Sequence, residues 1–183
     1  MALTDTSICK FGWKARDFEL EGIDGKTYTL DDVRGHKGTL VVFICNHCPY
    51  VKSAIGRLVK EADALRAIGI GTIAIMSNDT DEYPEDSFDN MKKFAKEHAF
   101  TFPYVIDKTQ EVARAYDAKC TPDFFGFNAD DELQYRGRLD ATRMGIMTSG
   151  RRELYEAMAQ VAETGSGPLE QTASMGCSIK WRD

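Results

Sequence analysis

The chain has 183 residues, a formal net charge of −6, 43% hydrophobic and 28% charged residues. That length suits one domain with a proper core, and the acidic balance argues against nucleic acid or an anionic membrane surface as the main partner. No apolar run approaches a membrane span, and Met1 to Ser7 lacks the basic and apolar blocks of a secretory signal, so a cytoplasmic protein is expected.

Two short alternating runs around Asp24-Gly25, within 17–30, predict an N-terminal β-hairpin. Leu40 to Ile44 is a continuous apolar run, so 39–45 is expected as a buried strand. From Pro49 to about Ile68 the apolar residues Val51, Ile55, Leu58, Ala62 and Leu65 keep a helical period, with Gly69 as the stop. Ile70 to Met76 predicts a second buried strand. The acidic run Asp79 to Asp86 then reads as a solvated loop, and Phe88, Met91, Phe94 and Ala95 mark another helix. A short strand at 103–107, a short helix at 110–116 and a hairpin flanking 128–131 follow. A last helix at about 151–162 ends at Gly165-Ser166-Gly167-Pro168. This order predicts an α/β domain with a central mixed sheet flanked by helices. Its core would span about 17–164, and the tail 165–183, with Ile179 and Trp181, is expected to dock onto it.

Five cysteines, an odd and unevenly spaced set, do not describe a disulfide framework; catalytic or metal-binding use fits better. Cys45-Asn46-His47-Cys48-Pro49 stands between the predicted strand and helix. Proline is favoured at the first helical position, which puts Cys48 at the N-cap, near free N–H groups and the positive end of the helix dipole. Both favour thiolate, the reactive form. Cys48 is therefore the candidate nucleophile, and as a turn residue it is expected to keep some solvent contact. His47 is the candidate charge partner that lowers its pKa. Cys45 can pair with Cys48 only if the turn brings their Cα atoms within about 7 Å; packing at the strand end is the competing reading. Cys120 and Cys177 are further candidate resolving thiols, although a tail-holding role suits Cys177 and a core role suits Cys120 equally well. Cys9 reads as incidental. His36 and His98 sit in polar contexts and read as solvated. Met144 and Met147 fit either core filling or an apolar substrate surface.

Cys45 to Lys52, Thr121-Pro122-Asp123-Phe124-Phe125 and Gly176 to Trp181 together resemble the peroxiredoxin-like branch of the thioredoxin superfamily, grouped with alkyl hydroperoxide reductase and thiol-specific antioxidant proteins. The resemblance runs from Phe18 to Trp181 and implies a thioredoxin-like fold. It implies a cis Thr121-Pro122 bond beside Cys48, with Thr121, Pro122 and Pro49 as substrate-binding residues. Two departures stand out. Phe43-Ile44-Cys45 occupies the place of the Pro and Thr of peroxiredoxins, and Thr121-Pro122 falls where their Arg is expected. Against the thioredoxin pattern, Val51 takes the place of the second cysteine; read in place, Cys45-Asn46-His47-Cys48 is itself a Cys-x-x-Cys. The two readings stay open at this point. The leading expectation is a thiol-dependent oxidoreductase acting on protein or small-molecule thiols and disulfides, without a cofactor and with oligomeric state undetermined. The alternative is a thiol peroxidase acting on peroxides. A Cys/His metal-binding module is the alternative of another class.

Overall fold

The computed structural model describes residues 2–144 and 150–183. Met147 lies outside the described residues. Strands and helices follow in chain order: β1 (Leu3–Asp5), β2 (Glu19–Gly22), β3 (Thr27–Thr29), α1 (Leu30–Val33), β4 (Gly38–Phe43), α2 (Pro49–Ala67), β5 (Ile70–Met76) and α3 (Phe88–Glu97). Then come β6 (Tyr104–Ile106), α4 (Glu111–Ala115), β7 (Cys120–Thr121), β8 (Asp123–Asn128), β9 (Leu133–Tyr135), α5 (Glu153–Thr164) and β10 (Met175–Ser178). No helix among the described residues is long and apolar enough to cross a membrane.

Seven strands form a mixed sheet in the order β3-β2-β6-β5-β4-β8-β9. The β4–β5 and β5–β6 pairs are parallel, and the β4–β8, β8–β9, β2–β3 and β2–β6 pairs are antiparallel. β4 lies inside the sheet between β5 and β8, and both of its faces are covered, which explains its unbroken apolar run. Leu40 and Val42, with Ile44 just beyond, pack beneath α2, α3 and α5, while Val41 and Phe43 face Ala113, Tyr116, Phe125 and Phe127. Each such side chain taken from water contributes about 1.5–3 kcal/mol before entropy is counted. The strand stops at Phe43, two residues earlier than its composition suggests, because Cys45 and Asn46 turn the chain toward α2.

Helix α2 begins at Pro49 and buries Val51, Ile55, Leu58, Ala62 and Leu65 on one face. Gly69 follows it with φ +91°, a left-handed conformation that glycine adopts without steric cost; a Cβ there would also strike the His36 ring. Helix α5 likewise ends at a left-handed Gly165.

The termini form a second, three-stranded sheet in the order β1-β10-β7. The tail therefore does more than dock: it is the middle strand of a sheet, between β1 and the segment just before Pro122. β1 and β7 escape a sequence reading, being three and two residues long.

Candidate active site

Cys48 occupies the N-cap of α2, with Pro49 at the first helical position. The strand-to-helix turn that places it is fixed from beneath. Asn46 donates its backbone N–H to Asp86 Oδ1 at 2.8 Å and accepts from the Tyr104 hydroxyl at 2.7 Å. Asn78 Nδ2 donates to the other Asp86 oxygen at 2.9 Å. Asp86 is fully buried, so the loop, whose Asp81, Glu82 and Glu85 are exposed as expected, also supports the active-site turn. Composition hides this, because an acidic side chain is ordinarily at the surface. Asp86 is inside because it finds three partners, two hydrogen-bond donors and an imidazole.

One of the three is His47. Its Nδ1 lies 2.7 Å from Asp86 Oδ2, bent away from the line of a good hydrogen bond, and its ring stacks on Tyr83 with centroids 5.8 Å apart. Pairing with Asp86 raises the His47 pKa, with burial working against it; the Cys48 charge is a lesser cause. The imidazole thus answers chiefly to the carboxylate, where the sequence suggested the sulfur.

Around Cys48 Sγ the structure gathers sulfur and backbone. Cys177 Sγ is 2.9 Å away, and Cys48 as a thiol donates to Thr121 O at 3.3 Å. Cys45 Sγ is 3.5 Å from Thr121 Oγ1. The Thr121-Pro122 bond is cis, next to the nucleophile as expected. The Cys48 pKa is depressed well below the ordinary thiol value. Hydrogen bonding with the Cys45 thiol is the first cause, burial opposes it, and Cys177 and the Val51 backbone add to the lowering. Cys45 moves the opposite way, raised first by sharing that bond with Cys48 and then by burial. Burial, followed by its bond to Cys48, pushes Cys177 up to about 12. The shifts run in opposite directions, favouring the thiolate at Cys48 and the thiol at Cys45 and Cys177.

Cys48 is nonetheless wholly buried, not partly exposed as a turn residue would be. β10 covers it. Cys120 is turned elsewhere: its thiol donates to Pro122 O at 3.5 Å, and burial raises its pKa. Cys9 stands apart, pushed up to about 11 by burial. Half-buried Pro49 and Tyr50 border the site. Tyr50, Pro122, Leu139, Met144 and Met175 contribute to a cavity beside it, so Met144 takes the lining role and not the core one. His36 is exposed as expected, while His98 is half-buried against Phe94 with ring centroids 4.5 Å apart.

Cys45, His47 and Asp86 could between them offer three metal ligands, whose atoms all lie within 4.8 Å of one another. The donor chemistry does not favour it. Both Asp86 oxygens already accept hydrogen bonds, Oδ1 from the Asn46 N–H and Oδ2 from Asn78 Nδ2.

Known proteins resemble this chain in sequence and fold. The thiol-disulfide oxidoreductase ResA of Halalkalibacterium halodurans is 27% identical over 129 residues, 70% of this chain and 69% of that protein. The crystal structure of an uncharacterized conserved protein from Geobacillus kaustophilus is 42% identical, covers 100% of this chain and 97% of its own, and superposes with a TM-score of 0.92. The thioredoxin domain of a thiol-disulfide oxidoreductase from Bacteroides vulgatus, 18% identical, shares the fold over 69% of this chain and 86% of its own with a TM-score of 0.59. The central sheet, the cysteine turn and the cis-proline loop fall within residues 11–136, the segment matched by the AhpC/TSA family model, and the chain belongs to that family.

Proposed function

We propose that the protein is a thiol–disulfide oxidoreductase in which Cys48 is the nucleophile. The observation that carries this is the geometry at the α2 N-terminus: Cys48 is the N-cap residue, its Sγ lies 2.9 Å from Cys177 Sγ and beside the cis Thr121-Pro122 bond, and its surroundings favour the thiolate. A thiolate attacks a disulfide sulfur, forms a mixed disulfide and releases the other half as a thiolate. A second cysteine then displaces the remaining half, so one disulfide is reduced and two protein thiols are oxidised. Thr121 and Pro122 border the sulfur and Pro49 sets its helix, which supports their assignment to substrate binding. The substrates proposed are protein or small-molecule disulfides, the class named for the ResA relatives.

The test is reduction of oxidised glutathione by the reduced protein under single-turnover conditions. Release of two glutathione thiols per protein, abolished in Cys48→Ser, is expected. Equal release by Cys48→Ser would contradict the assignment.

A further inference from the structure

The sulfur that the site presents to attack is covered by the protein's own tail. β10 pairs antiparallel with β7, Cys177 opposite Thr121 and Ser178 opposite Cys120. Thr121 is the residue whose carbonyl touches Cys48 Sγ, so the backbone edge beside the nucleophile is already filled. Cys48 is 0% and Cys177 5% exposed, so no disulfide in solution can reach Cys48 while β10 stays in place.

The tail is latched on both sides of Cys177. Before it, Ser174 Oγ donates to Pro122 O at 2.8 Å. After it, Lys180 N donates to Asn78 Oδ1 at 2.9 Å and Lys180 O accepts from Asp79 N at 2.8 Å. Between these anchors Gly176 lies so close that a Cβ would stand 2.0 Å from Thr121 O and 2.7 Å from its carbonyl carbon. The approach that sets two sulfurs 2.9 Å apart thus needs glycine next to the cysteine. An unbonded sulfur pair at that distance requires only a short movement to reach the ~2.05 Å of a disulfide.

We propose that β10 is an internal occupant of the edge at which a substrate disulfide must sit, and that Cys177 closes a Cys48–Cys177 disulfide to end each turnover. This rests on the oxidoreductase reading above. β10 lifts, Cys48 thiolate attacks a disulfide and one substrate half leaves as thiolate. As β10 returns, the Cys177 sulfur attacks Cys48 Sγ. The Cys48–substrate bond breaks, the Cys48–Cys177 bond forms, and the second half leaves as a thiolate that takes up the Cys177 proton. Loss of the Cys48 charge in the mixed disulfide removes two of the causes that keep Cys177 protonated. Cys45 stays a thiol throughout, as a donor that positions the charge.

The reduced full-length protein is treated with oxidised glutathione, acid-quenched and mapped without reductant. A Cys48–Cys177 link is expected in the wild type and in Cys45→Ser, and Cys177→Ser should accumulate glutathione on Cys48. A Cys48–Cys45 link in the wild type, or release by Cys177→Ser as fast as wild type, would overturn the proposal and leave the oxidoreductase reading standing. Absence of any adduct or link on Cys48 in wild type, Cys177→Ser and Gly176→Ala would overturn both. The covering role is read separately, by iodoacetamide labelling of Cys48. Gly176→Ala, and independently Asn78→Ala, should speed it at least tenfold, the effect of about 1.4 kcal/mol on the opening equilibrium. Labelling in both variants at the wild-type rate would overturn the covering role.

Discussion

Cys48 ionises in a buried place because what surrounds it is polar in a directed way. Burial alone would keep it a thiol; two neighbouring S–H groups and the first-turn backbone reverse the balance. His47 contributes differently, by tying the turn to Asp86. Its folded-state pKa is raised above 6.5. The stability from this pair is therefore complete below the unfolded histidine pKa and lost as pH rises through the raised one. Asp86→Asn should remove that dependence, so that chemical denaturation at pH 5 and pH 8 differs less in the variant than in wild type. An undiminished difference would place the titrating group elsewhere. Cys48, Pro49 and the Thr121-Pro122 pair were legible in the sequence because each advertises a local rule: a cap, a first-turn proline, an X–Pro bond. Asp86 was not, since nothing in Pro84-Glu85-Asp86 says that a backbone N–H forty residues earlier will need an acceptor.

At the level of elements, the two faces of β4 and the period of α2 were written in the apolar pattern, and the central layers follow from them. Ile55 sits on the buried face of α2 with 1% exposure. Ile55→Ala should lower unfolding stability by about 2–5 kcal/mol, read from a urea titration. A loss under about 1 kcal/mol would mean that the α2 face is not close-packed. β8 and the residue after β9 are joined by the buried Asp123–Arg136 pair at 2.9 Å, and burial raises the Asp123 pKa despite its partner. Arg136→Met strands that carboxyl. The variant should be destabilised by roughly 3–5 kcal/mol at neutral pH. The loss should shrink on acidification, since a protonated Asp123 is cheaper to bury and a raised folded pKa favours the folded state at low pH. A loss that is constant with pH would contradict this. The tail strand escaped the sequence reading for a topological reason. Met175 to Ser178 has neither alternation nor length, and it becomes a strand only because β1 and β7 offer it edges.

Taken whole, the molecule brings residues from 45–49, 83–86, 120–123 and 174–180 to one end of its central sheet. Only the second group could not be linked to a site beforehand; Cys177 already marked the fourth as a candidate. Peroxide chemistry finds less support there than disulfide exchange. Arg136, which pairs with Asp123 next to the cis-proline, also stacks over Phe125, so its charge is already satisfied. Hydrogen peroxide turnover with an external thiol should fall well below exchange with oxidised glutathione; a matching rate would contradict this. The central claim, a thiolate at Cys48, is tested most directly by the ultraviolet thiolate absorbance of the reduced protein across a pH series. This measurement needs no reagent to enter the covered site. One thiolate is expected at neutral pH in the wild type and none in Cys48→Ser, with the midpoint far below the ordinary 9.0. A wild-type midpoint near 9.0, or a neutral-pH thiolate that survives in Cys48→Ser, would contradict the account.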